Sequence, residues 1–207
     1  MLLSVHKKSS RLAVLGELGR NPILLNALKN MLKYEWHLEN ISPRNSLVRH
    51  AYSEMDLFSK SGSDCWLSKV RKIKASLGIS LSAVKGSFGA SAAIKKSLNS
   101  KFSRFWMDSV QEVKVGQDGL DTNKLRLYKS FKGSFHTEPY LTLVKNRNQR
   151  SSLSRIRISA HHLEIERGRW VGVPNNQRYC KYCKFCGSTN KLVDDEKHFM
   201  LSCPLFP

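Results

Sequence analysis

Apolar residues recur along most of this chain at the spacing of an α-helical face. Ile23, Leu24, Ala27, Leu28, Met31 and Leu32 fall on one stripe, and Pro22 after Asn21 suits a first helical position, which predicts a helix over 22–38. After Ser42-Pro43 the stripe resumes with Leu47, Val48, Ala51, Tyr52, Met55 and Phe58, and Ser61-Gly62-Ser63 stops it. A third segment starts near Asp64, a candidate N-cap, and runs through Trp66, Leu67, Val70, Ile73 and Leu77 to Gly78. These three helices are expected to pack as an antiparallel bundle. The Ser- and Gly-rich stretch 79–90 reads as a flexible connection to a longer helix carrying Ile94, Leu98, Phe102, Phe105 and Val110. Gly116-Gln117-Asp118-Gly119 predicts a turn, followed by shorter helices around 121–132, 138–146 and 149–161.

Periodicity fails from Gly172 onward, where Pro, Asn, Gly and Cys take over. The fold class expected is therefore mainly α: a helical, bundle-like body with a small metal-organised C-terminal unit. Its expected divisions are an N-terminal helical region (1–78), the connection (79–90), a basic helical region (91–171) and a zinc-binding unit (172–207).

Charge adds a function class to this outline. The 207 residues carry 35 Lys plus Arg against 16 Asp plus Glu, a formal charge of +19. Apolar content of 41% is enough for a core, no stretch approaches the length of a bilayer span, and Glu17 and Arg20 cut short the only N-terminal apolar run. An intracellular protein, nuclear or cytoplasmic rather than secreted, with a polyanionic partner is expected. The cations are clustered. No acid occurs from Cys65 to Met107, where Lys69, Arg71, Lys72, Lys74, Lys85, Lys95, Lys96, Lys101 and Arg104 lie. None occurs from Pro139 to Leu163, which holds Lys145, Arg147, Arg150, Arg155 and Arg157. A single Lys run is ordinarily a solvated helix face, but two long acid-free tracts point to phosphate binding, by RNA or DNA. Lys95, Lys96, Lys101, Arg104, Lys145, Arg147, Arg150, Arg155 and Arg157 are the candidate contacts, with Arg178 and Lys181 beside the cysteines. No helix combines a basic face with the large aromatic face of a membrane-surface anchor, and no small-molecule substrate is indicated.

Four of the five cysteines, Cys180, Cys183, Cys186 and Cys203, lie in the last 28 positions, away from Cys65. Clustering of this kind, without a secretory signal, favours metal ligation over a disulfide framework. A C-x2-C pair brings two thiolates to one Zn²⁺ from a tight turn, and His198 with Cys203 at H-x4-C spacing closes a four-ligand set. Successive x2 spacings leave two registers, Cys180 with Cys183 or Cys183 with Cys186. A redox C-x2-C would adjoin a βαβ pattern, and none is present. Tyr179, Tyr182 and Phe185 interleave with Lys181 and Lys184, an arrangement that suits packing around the metal and also stacking on unpaired bases.

Arg155-Ile156-Arg157-Ile158-Ser159-Ala160-His161-His162-Leu163-Glu164-Ile165-Glu166-Arg167-Gly168-Arg169-Trp170, then R-x-C-x2-C at Arg178, Cys180 and Cys183, then Asp194-Asp195-Glu196-Lys197-His198-Phe199 ahead of Cys203-Pro204, resembles the C-terminal region of non-LTR retrotransposon reverse transcriptases. Gly16-Glu17-Leu18-Gly19-Arg20-Asn21-Pro22 with Lys33-Tyr34 resembles the segment after the polymerase thumb, and Leu125, Tyr128, Lys129, Phe131 and Lys132 the next helical section. The similarity spans about residues 10–207. It implies a helical, basic accessory module ending in a CCHC zinc site, which helps the polymerase part of a retroelement protein hold RNA and target DNA. Cys186 departs from that pattern and leaves the first ligand pair open. Asp194-Asp195 follows Leu192-Val193 inside the zinc loop and does not match the F-x-D-D or Y-x-D-D hairpin that would hold two catalytic Mg²⁺ ions. A fragment or degenerate copy without polymerase or nuclease chemistry is expected, with His161 and His162 in packing or helix-end roles. A second expectation is a scaffolding module that docks onto a polymerase and uses zinc only as a staple.

Overall fold

The computed structural model describes residues 3, 5, 9–42, 46–80, 86–114, 123–185 and 192–205. It is mainly helical, and its described residues hold only two isolated β-bridges, Leu18 with Thr137 and Tyr179 with Val193. The helices are α1 (Arg11–Leu18), α2 (Ile23–Glu39), α3 (Ser46–Lys60), α4 (Trp66–Ser76), α5 (Gly86–Gln111), α6 (Tyr128–Phe131), α7 (Tyr140–Leu143), α8 (Arg147–Arg157), α9 (Glu164–Trp170), α10 (Lys181–Phe185) and α11 (Glu196–Leu201). None of them is long and apolar enough to cross a membrane.

Two compact units divide the chain, Asn21–Phe105 and the discontinuous pair Met1–Arg20 with Trp106–Pro207. The sequence-based boundaries near 78 and 90 do not coincide with this division, which falls at Arg20 and inside α5. Residues 86–90 belong to α5 and so are helical rather than a connection; 81–85, like the expected Gly116–Gly119 turn, lie outside the described residues.

In the unit Asn21–Phe105, α2, α3 and α4 pack pairwise, as the three apolar stripes predict. Its core joins Leu32, Val70, Ile79, Ile94 and Leu98, with Leu28, Met31, Trp66 and Leu77 against it. The α2 stripe is only half used: Leu32 is buried while Ile23 is 81% exposed. α4 begins one residue later than Asp64 suggests, with Cys65 as N-cap and its amide donating to Ser68 Oγ at 3.1 Å. Gly78, at φ 57°, ends it in the left-handed region. Glu35 is fully buried in this core and accepts from Lys74 Nζ at 2.9 and 3.0 Å; burial holds its carboxyl above the ordinary range despite that partner.

The discontinuous unit is organised around α1. Trp106 donates through Nε1 to Leu12 O at 2.8 Å, and Tyr128 donates to Ala13 O at 3.3 Å. The Trp106 ring meets Tyr128 and Phe135 edge-on, with centroids 6.3 and 5.4 Å away. Gly16 lets these rings close on α1, because a Cβ there would lie 2.4 Å from Trp106 Cζ2. Gly16→Ala is therefore expected to destabilise this unit by about 1–3 kcal/mol through overpacking, read as a lowered thermal midpoint; an unchanged midpoint would contradict this packing.

Two polar networks tie the same unit together. Glu17, fully buried, accepts from Arg157 Nε and Nη2 at 3.0 Å each and from Tyr140 OH at 2.6 Å. Arg157 also reaches Glu138 at 2.7 Å, lies 4.2 Å over the Phe131 ring, and shares Glu138 with the buried Lys132. Although burial works against the charge, Glu17 and Glu138 hold the Arg157 guanidinium above its ordinary pKa. The second network is centred on Arg126, which donates to Glu166 at 2.9 Å and to both oxygens of Glu196 at 2.8 and 3.0 Å.

Candidate metal centre

Backbone pairing sets the position of the first two thiols. Cys180 N donates to Leu192 O at 3.0 Å and Asp194 N donates to Arg178 O at 2.8 Å, which brings residues 178–180 alongside 192–194. Cys180 ends this pairing, and the short helix α10 carries Cys183. On the other side, Asp195 caps α11 by accepting from His198 N at 2.7 Å, which fixes the turn that bears His198. Ser202 N and Cys203 N then both donate to His198 O, at 3.0 and 2.8 Å, and this reversal returns Cys203 to the cluster.

The ligand atoms of Cys180, Cys183, His198 and Cys203 all lie within 4.8 Å of one another, and all four residues are buried. His198 presents Nε2, 3.2 Å from Cys183 Sγ, while its Nδ1 is buried without a hydrogen-bond partner among the described residues. Burial raises the pKa of the Cys180 thiol; burial and the neighbouring Cys180 and Cys203 push that of Cys183 up to about 12. Crowded thiols of this kind are poorly ionised on their own, and a cation entering among them displaces their protons. Three sulfurs and an imidazole in one buried tetrad could hold a metal ion. Of the two registers open in the sequence, the described residues assemble the one with Cys180 and Cys183; Cys186 lies outside them.

The cluster is braced from α9. Glu164 N donates to Asp194 Oδ2 at 2.8 Å, and Ile165 N to Asp194 O at 3.1 Å. Arg178, buried, donates to Val173 O at 2.8 Å and to Ile165 O at 2.6 Å, and its side chain runs across Gly168, where a Cβ would meet Arg178 Cγ at 2.6 Å. The arginine of the R-x-C-x2-C motif thus serves as a backbone staple. On α11, Glu196 accepts from Arg126 and lies 2.8 Å from His161 Nε2. His161 is thus paired with Glu196. The pairing of Arg126 with Glu166 and Glu196 has no mark in the sequence, because Arg126 lies 40 residues from Glu166 and 70 from Glu196 and no motif spacing joins such pairs.

The proposed phosphate contacts separate into groups. Lys95, Lys96, Lys101 and Arg104 are exposed on α5, with Lys101 Nζ 3.5 Å from Ser76 O. Lys145, Arg147 and Arg155 are exposed on and beside α8, and Lys181 is exposed on α10, 2.9 Å from Glu164. Arg157 and Arg178 are turned inward to the partners described above, and Arg150 is half-buried, donating to Val144 O at 3.1 Å. Arg157 sits in a tract without acids, yet Glu17 reaches it from 140 positions away. No family model, curated protein or solved structure matches this chain.

Proposed function

We propose that this chain is a non-catalytic nucleic-acid-binding accessory module, organised at its C-terminus by structural zinc and akin to the region that follows the polymerase in non-LTR retrotransposon reverse transcriptases. The observation that carries the reading is a buried Cys3His tetrad with exposed cations around it. Zinc suits that donor set: Zn–S bonds of about 2.3 Å in a tetrahedron separate sulfurs by roughly 3.8 Å, which fits donors within 4.8 Å of one another. Four protein ligands leave no coordination position for a reactive water, so the metal's contribution is to hold α10 and α11 together.

A groove of about 510 Å³ opens beside the tetrad and is lined by Arg155, Arg167, Lys181 and Tyr182 among others. Guanidinium and ammonium groups there suit phosphate, and the exposed Lys145 and Arg147 add to the same charge. The exposed cations of α5 supply a further basic surface in the other unit. RNA or DNA is the partner class this supports, with the polymerase part of a retroelement protein as a second partner. Exposed Ile23, Leu24, Leu47 and Phe58 on α2 and α3 favour docking of that second kind.

Electrophoretic mobility shift across a salt series is the direct test. If the four exposed cations Lys145, Arg147, Arg155 and Lys181 each meet a phosphate, log affinity for duplex DNA should fall against log salt with a slope of roughly −3 to −4. Absence of any shift at low salt, for RNA and DNA alike, would refute the reading.

A further inference from the structure

Two grooves adjoin the segment that leads into α9. One, of about 520 Å³, is lined by Trp170, Val171 and Lys124. The other is the groove beside the tetrad, with Arg155, Lys181 and Tyr182. His161, His162 and Arg167 line both. His161 is committed to Glu196, whereas His162 and Arg167 are exposed, so a ligand that occupied both grooves would cross at these two side chains.

Trp170 is 56% exposed at the end of α9. An indole left this open forgoes the burial of one of the largest apolar surfaces a residue can offer, and it shares the lining of its groove with Lys124 and Arg167. The carboxylates nearby do not cancel the charge. Glu164 lies 3.4 Å from Arg167 and 2.9 Å from Lys181, but these cations are 58% and 59% exposed, and such solvent-screened pairs exchange readily for phosphate. Glu166 is held by Arg126 at 2.9 Å and Arg169 at 3.3 Å, and Asp194 accepts from Glu164 N.

A flat aromatic wall joined by cations to a second groove matches one ligand chemistry: a chain of unstacked bases on an anionic backbone. In a duplex the base faces are already covered by their neighbours and are out of reach of an indole. We propose that an unpaired base of single-stranded nucleic acid stacks on Trp170, while its backbone crosses Arg167 into the groove of Arg155 and Lys181 beside the metal tetrad. This rests on the nucleic-acid reading above and adds the strandedness and the base-contacting residue.

Fluorescence anisotropy of the full chain with a labelled single strand, as RNA and as DNA, and with the matching duplex tests it. Wild-type protein should prefer a single strand of either sugar, and Trp170→Ala should weaken single-strand binding by about tenfold while changing duplex binding by less than about twofold. Should that variant fail to fold, as read from zinc content and helicity, Trp170→Phe decides: it should keep most of the affinity and abolish the ligand-induced quenching of indole fluorescence. Equal losses for single strand and duplex, or quenching that survives in Trp170→Phe, would overturn the stacking site while leaving nucleic-acid binding intact. Wild-type protein that bound neither form would instead remove the underlying reading.

Discussion

Cys183→Ser is expected to abolish stoichiometric zinc and to unfold the segment that α10 and α11 occupy. Both consequences share one cause. Structural zinc binding is worth about 10–16 kcal/mol in small sites, and the apolar cluster at the tetrad consists of the three cysteines themselves, so without the ion the bracing bonds of Asp194, Arg178 and Glu196 have no core to close on. Serine cannot supply a thiolate, and the remaining three donors would leave the ion open to water and chelators. Cys180→Ser should behave in the same way, because Cys180 sits in the tetrad and its amide anchors the pairing with Leu192. Cys186→Ser should retain the metal. Metal analysis after gel filtration, together with amide exchange across Glu196–Leu201, reads both effects. Zinc lost from Cys186→Ser as fully as from Cys180→Ser would refute the tetrad as drawn. The same variants separate the two functional readings. If the metal unit presents the nucleic-acid surface, affinity falls with zinc; if zinc is only a staple for a docking module, affinity stays nearly constant.

The second large effect is expected at Glu17. Glu17→Ala removes the acceptor of two Arg157 bonds and of the Tyr140 hydroxyl, and it leaves a guanidinium whose side chain is only 18% exposed with Glu138 as its remaining carboxylate. Breaking one partner out of a buried ion pair costs about 3–5 kcal/mol, because the surviving charge stays desolvated. For a chain of this size that corresponds to a fall of roughly 10 °C in the transition of the discontinuous unit. Calorimetry of Glu17→Ala, Arg157→Met and the double variant would show strong coupling, with the double variant less damaged than the sum of the two. Additive losses, or a shift below about 2 °C, would contradict the network. The outcome also bears on how the basic tract is used, since an Arg157 so placed is a structural residue and contributes no phosphate contact.

The helices over 23–39 and 46–60 follow the apolar stripes closely, because a 3.6-residue period and its Pro and Gly interruptions are local properties of the chain. The clustered donors were legible, up to the choice between Cys180 and Cys186, for a related reason: C-x2-C and H-x4-C are spacings that a single turn can close. Other features carried no local mark. Gly16 reads as an ordinary glycine in a short apolar run, and only the approach of Trp106, 90 positions later, makes it necessary. α5 reads as one continuous stripe, yet Ile94 and Leu98 belong to one core and Trp106 lies against α1 in the other unit.

Charge draws the division most sharply. Composition alone determined that the protein is strongly basic, and the order of residues that its cations are bunched; both facts bear directly on the class of partner. Which cations face solvent was decided by the tertiary structure, through pairs such as Arg157 with Glu17, 140 positions apart, and Arg126 with Glu196, 70 apart. The physical reason is that Coulomb energy depends on distance in space and on burial, and a count of acids along the chain registers neither.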